Sequence, residues 1–320
     1  MTFGLSRREF EMGTATREAF GTALAEAGAA DDRIVVVDGD VNNSTYTNKF
    51  KEAFPDRFIN AGIAESNMVG IAAGLAAGGK VPVAASFSIF LLANAYDQIR
   101  MSVAFPNVNV KLVGTHAGIS IGEDGPSQMG IEDVALACSL PGFTVVVPAD
   151  GTSAAAATKR LLEREGPSFL RCGRPAVPQI YADESDFHLG KANKVRDGDD
   201  ITLIANGIMV AMALDAAEAL SSEGVEARVL DMHTVKPVDK AAIERAANET
   251  RGIVVAEEHL AHGGLGSVVS MVVSERKPTR MAFVDLGDTY ATSGKPDELL
   301  LQYGLTPDSI ADAARRVLKD

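Results

Sequence analysis

Residues 33–40 read RIVVVDGD, a short β-branched run closed by Asp-Gly-Asp. Branched side chains favour extended backbone and the closing residues favour a turn, so the stretch predicts a strand that ends at a loop. Residues 61–80, AGIAESNMVGIAAGLAAGGK, follow as a ladder of glycine, alanine and aliphatic residues. Such small side chains suit a closely packed helix over 65–78. KVPVAASF (80–87) then reads as a second buried strand. The alternation continues through NVKLVG (109–114), TVVVPAD (144–150), the helix SAAAATKRLLER (153–164) and PSFLRCGRP (167–175). After a polar passage, YADESDFHLGKANKVRDGDD (181–200), it restarts with ITLIANG (201–207), a helix in MALDAAEALSSEG (212–224) and EARVLDM (226–232). GIVVAEE (252–258), a helix in LGSVVSMVVSE (265–275), RMAFVDLG (280–287) and a last helix near 306–318 complete it. Alternating strands and helices predict largely parallel sheets covered on both faces. The fold class is α/β, in two domains, 1–187 and 188–320.

A chain of 320 residues is long for one domain and sufficient for two cores. Its formal charge of −13 speaks against a general nucleic-acid or anionic-membrane surface, though not against a local basic pocket. Cys138 and Cys172 are the only cysteines, so neither a disulfide framework nor a zinc cluster is expected. Both read as reduced thiols of a core or pocket wall. The first residues hold no apolar run of signal-peptide length, and no stretch is long and apolar enough to span a membrane. The expectation is a cytoplasmic protein.

Three loops gather polar residues at predicted strand ends, where ligands bind in open α/β sheets. DGDVNNST (38–45) is one, and RCGR (171–174), with two guanidiniums suited to phosphate, is another. GTHAGISIGEDGPSQMGIED (114–133) packs His116, Glu123, Asp124, Ser127 and Gln128 into a glycine-rich third. Together they suggest one site for a polar, anionic small molecule. Glu65 heads the apolar ladder: it either opens a helix, where the macrodipole favours an acid, or serves as a general acid or base. HGGLGSVVS (262–270) has G-x-G without the third glycine of a dinucleotide fingerprint and reads as a tight turn into a packed helix. His188 and His233 read as structural or surface residues.

Taken in order, NAGIAESNMVGIAAGLA, GTHAGISIGEDGPSQMGIED, VVVPADG, HTVKPVD, EEH with GGLG, and SGKPDELLLQYGL resemble the C-terminal half of a transketolase, from ATREAFG at 15 onward. The resemblance implies two Rossmann-like domains, a pyrimidine-binding one and a smaller C-terminal one. It also implies thiamine diphosphate as cofactor, with Glu65 hydrogen-bonding a ring nitrogen of the aminopyrimidine and sharing its proton. Phe87 and Phe90 resemble the aromatics that stack on the pyrimidine, although the spacing from Phe87 to Arg100 is one residue longer than in full-length members. Asp40 resembles an acid near the thiazolium, and Asp124 one that reads a sugar hydroxyl. Ser44, His116 and Arg171 match positions that hold the sugar phosphate. Gln128 stands where many microbial and plant members carry histidine, as in the mammalian type, which implies a hydrogen bond to substrate in place of proton transfer.

The family's G-D-G…N motif, which holds magnesium and the diphosphate, is missing; DGD at 38–40 has the wrong order in the wrong domain. No metal ligands are therefore expected in this chain. The implied protein is the beta subunit of a split transketolase, a dimer that joins a G-D-G…N partner subunit in a heterotetramer. It would move two-carbon ketol units between sugar phosphates in the pentose phosphate pathway. Alternatives are a deoxyxylulose-phosphate synthase relative, a 2-oxoacid dehydrogenase beta subunit, or a non-catalytic assembly subunit that kept the fold.

Overall fold

The computed structural model describes residues 10–319; the expectation that no leader precedes them falls outside that range. The first strands are β1 (Met12–Ala15), β2 (Ile34–Asp38), β3 (Phe58–Asn60), β4 (Val81–Phe87), β5 (Lys111–Thr115), β6 (Thr144–Val146), β7 (Ser168–Arg171) and β8 (Ala176–Pro178). The rest are β9 (Asn193–Arg196), β10 (Ile201–Ala205), β11 (Ala227–Asp231), β12 (Thr234–Lys236), β13 (Ile253–Ala256) and β14 (Met281–Val284). One sheet runs β12-β6-β7-β5-β4-β2-β3 and is parallel apart from β12. A second runs β14-β13-β10-β11-β9 and is parallel apart from β9. β1 and β8 form a small antiparallel pair. No helix among the described residues is long and apolar enough to cross a membrane.

The strands expected from β-branched runs are present because both of their faces are covered. The helices Thr16–Ala30 and Gly151–Glu163 lay Phe20, Leu24, Ala157 and Leu161 on Ile34, Val36 and Val83. The opposite face takes the helix Glu65–Ala77, whose Met68, Val69 and Ala72 meet Val37 and Ala84. Burying each larger apolar side chain contributes roughly 1.5–3 kcal/mol. This same cluster continues through Val145 into Ile243, Val255, Leu265 and Val269 beyond residue 188, so the two units share a core.

Two features were not legible in the pattern. Strand β12 comes from beyond the linker yet pairs with β6 in the first sheet. Residues Phe90–Asn94 and Ile99–Ala104 are π-helical. A π turn is how a helix absorbs an extra residue without breaking.

Candidate functional site

In the first sheet β2 has β3 on one side and β4 on the other, so the strand order reverses there. Crevices at such points, beyond the carboxyl ends of the strands, are where open α/β sheets bind ligands. The loop after β2 is organised by Asp38, whose buried carboxylate accepts from the Val41 amide (2.7 Å), Thr45 Oγ1 (3.0 Å) and Thr47 Oγ1 (2.8 Å). It carries exposed Asp40, held at φ 66° and accepting from Asn60 Nδ2 at 2.7 Å, and half-buried Ser44. Asp40 and Ser44 thus reach the crevice on a loop pinned from below.

Glu65 is the first residue of its helix and is only 8 % exposed. Its carboxylate has no hydrogen-bond partner among the described residues. The carboxylate oxygens are not themselves sealed from the crevice, so they are free to take up a ligand's hydrogen-bond donor. From the end of β4, Phe87 and Phe90 lie nearly parallel (10°, centroids 5.8 Å apart), and Phe87 stacks on the His116 ring at 3.9 Å.

His116 follows β5 with φ 58° and is buried. The Arg17 guanidinium, which can only donate, lies 3.1 Å from Nε2, so that nitrogen is the unprotonated acceptor. Nδ1–H then donates to Thr115 Oγ1 at 2.9 Å. Burial, with Arg17 and Arg174 nearby, pushes the imidazole pKa down to about 3 from its ordinary 6.5. Because the folded value is depressed, the unfolded chain takes up the extra proton first. Stability is expected to fall as pH drops from about 6.5 towards 3, at up to ~1.4 kcal/mol per pH unit from this group. An imidazole NMR titration should show no His116 midpoint above pH 5; a midpoint near 6.5 would contradict the assignment.

Arg17 also donates to Ser44 O (2.8 Å) and Arg174 O (3.2 Å), tying three loops together. Sequence reading missed Arg17 because its partners lie 27, 99 and 157 residues away. Arg174 is half-buried, donates to Ile121 O at 2.7 Å, and stands 3.5 Å from Glu123 and 3.8 Å from Asp124. Asp124 is exposed beside it, and Gln128 is half-buried in the same loop.

Arg171, expected to hold phosphate, does not face the crevice. Only 6 % exposed, it binds the wholly buried Asp133 through Nε (2.8 and 3.1 Å). Its Nη2 donates to Gly130 O (2.8 Å) and Glu258 O (2.9 Å). Of the two guanidiniums in RCGR, Arg174 is the one available to an anion.

Behind the site lie the acids of EEH. Glu257 accepts from the Leu265 and Gly266 amides (2.7 Å each) at the start of the helix Leu265–Arg276, and burial raises its pKa. That carboxylate fills the helix terminus that a nucleotide phosphate would need, as the tight-turn reading of GGLG implies. Glu258, pushed up to about 6 by burial, accepts from the Ser120 amide at 2.6 Å. His233 is buried against Phe187, and His188 is exposed. Cys138 and Cys172 are unpaired thiols that burial pushes up to about 12.

The reversal of strand order, an unpartnered buried acid, parallel aromatic rings and two guanidiniums define an α/β protein with a crevice for a planar, anionic ligand. Residues 12–179 match the family described as transketolase, pyrimidine binding domain, and residues 190–310 match transketolase, C-terminal domain. The chain is 40 % identical over 301 residues to the 6-deoxy-6-sulfo-D-fructose transketolase subunit SqwH of Clostridium sp. (strain MSTE9), covering 94 % of each. It is 42 % identical to human transketolase over 308 residues, 95 % of this chain but 49 % of that protein. A solved split-gene transketolase, described as an inactive beta4 tetramer, superposes with a TM-score of 0.87 at 42 % identity, covering 96 % of this chain and 98 % of that one. This chain belongs to the transketolase family, whose members use thiamine diphosphate and a divalent metal.

Proposed function

We propose that this chain is the pyrimidine-side subunit of a two-chain transketolase, moving a two-carbon ketol unit from a ketose phosphate to an aldose phosphate. The observation that carries the reading is Glu65, buried and unpartnered at the crevice. A proton-bearing ring nitrogen is the partner that such a carboxylate lacks. The parallel Phe87 and Phe90 rings offer a broad apolar face to a planar ring. These residues fit the aminopyrimidine of thiamine diphosphate. When bound, that cofactor supplies the nucleophilic carbon and the electron sink for ketol transfer. Glu65 would hold and exchange the pyrimidine proton, and Asp40 would lie towards the thiazolium. Asp124 and Gln128 would hydrogen-bond substrate oxygens, while Ser44, His116, Arg17 and Arg174 would form the phosphate end.

The pyrimidine-binding unit is taken as 1–187 and the smaller unit as 188–320. The diphosphate and magnesium would be held by a partner subunit carrying G-D-G…N, since magnesium needs oxygen ligands set around the phosphates. The assembly would be a heterotetramer in the cytoplasm, acting in pentose phosphate metabolism. The test is calorimetric titration of the isolated chain with thiamine diphosphate and magnesium, with a parallel ketol-transfer assay. The expected result is weak or no binding and no turnover alone, with both appearing when the G-D-G…N chain is added. Tight binding with turnover in the isolated chain would overturn the two-chain reading.

A further inference from the structure

The glycine-rich loop after β5 carries His116, Asp124 and Gln128, and its middle folds on itself through short turns, the Gly122, Gly125 and Gln128 amides donating to Ile119 O (3.1 Å), Gly122 O (3.2 Å) and Gly125 O (3.1 Å). Its Ala117 and Gly118 amides donate to Cys172 O (3.2 Å) and Gly130 O (2.8 Å), which closes its base. Beyond that, three side chains from outside the loop grip its backbone, Arg171 at Gly130 and two nearer its middle. Arg174 donates to Ile121 O at the crevice, and Glu258 accepts from the Ser120 amide inside the protein. Glu258 belongs to the other unit, 138 residues further along the chain.

The fit around Glu258 is close. Gly118 has φ 80°, a left-handed conformation, and a Cβ there would collide with the Glu258 carboxyl group. The Glu258 carbonyl accepts from Arg171 Nη2, which also reaches Gly130 O at the far end of the loop. Arg171 binds Asp133, and Asp133 Oδ2 accepts from Ser88 Oγ at 2.5 Å. Ser88 lies between Phe87 and Phe90 in sequence. A buried chain of charged and polar groups thus runs from under the loop to the aromatic pair.

We infer that Glu258 is a positioning residue for substrate binding, holding the loop that presents His116, Asp124 and Gln128. The inference rests on the reading of that loop as the substrate side of the crevice. It gives the C-terminal unit a part in the site that it does not line. The carboxylate fills the place a side chain on Gly118 would take and holds the Ser120 amide. The glycine at 118 and the acid at 258 are therefore two halves of one device.

Two variants of the full chain test this, Glu258→Ala and Glu258→Gln. A hydrogen bond to a charged acceptor supports roughly 10–100-fold protection. Amide exchange in peptides covering 117–128 is expected to quicken by about that factor in Glu258→Ala. It should be largely restored in Glu258→Gln, which keeps an oxygen at the same reach. In the assembled enzyme, Glu258→Ala should raise KM for the sugar phosphate about 10-fold or more, with the thiamine diphosphate Kd within about twofold. Unchanged exchange at 117–128, or faster exchange spread evenly over the whole chain, would overturn the inference. If the wild-type complex shows no thiamine-dependent turnover, the functional reading falls, and the exchange measurement still decides what Glu258 holds.

Discussion

Glu65→Gln is expected to cut ketol-transfer turnover of the assembled enzyme by ~10²–10⁴-fold while leaving the chain folded, the range general acid–base steps contribute. The amide keeps the size and polarity of the carboxylate but cannot share a proton with a ring nitrogen. The two readings of Glu65 separate cleanly here. If the acid only opens its helix, losing the charge costs roughly 0.3–1 kcal/mol of stability and leaves turnover intact. If it exchanges the pyrimidine proton, stability barely changes and activity collapses. Rates measured at saturating thiamine diphosphate, beside a denaturant titration, distinguish them; near-wild-type turnover would remove Glu65 from the chemistry.

Arg171→Ala and Arg174→Ala are expected to fail in different ways. Removing Arg171 leaves the Asp133 carboxylate buried without its cation, which costs roughly 3–5 kcal/mol. It also releases Gly130 O and Glu258 O. The loss appears as a shifted unfolding midpoint with unchanged slope. The double variant Arg171→Met with Asp133→Leu should recover part of it, because neither charge is then stranded. Arg174 is half-buried, and its ion pairs at 3.5 and 3.8 Å involve exposed acids, so its removal should change stability little. Its KM for phosphorylated donors should rise about 10–100-fold, the scale of lost charge-assisted hydrogen bonds, with a much smaller effect on hydroxypyruvate. Equal losses on both donors, or a stable Arg171→Ala chain with a raised phosphate KM, would reverse the two assignments.

That pair shows where the sequence could be read and where it could not. β-Branched runs, small-residue helices and turn formers act locally, so β2, β4, β5 and the helix Glu65–Ala77 were legible, and so were the loops at their ends. Which guanidinium of RCGR turns inward depends on Asp133, 38 residues away, and no local pattern carries that information. Arg17 is hidden for the same reason: it stands in an ordinary first helical turn and acquires meaning only through Ser44, His116 and Arg174. Strand β12 is three residues long, below the length at which periodicity can be recognised.

Strand β12 also decides how far the two units can be treated as modules. The polar passage at 181–200 looks like the natural place to divide the chain, and one domain match ends at 179, just before it, while the other begins at 190, within it. Cutting there would strip β6, whose three residues are all buried, of one of its two neighbours and leave it at the sheet edge. An unpaired, apolar edge of that kind recruits other chains and promotes aggregation. The chain is thus bipartite in ancestry but indivisible as a folding object, and recombination at the visible seam would transplant neither half intact.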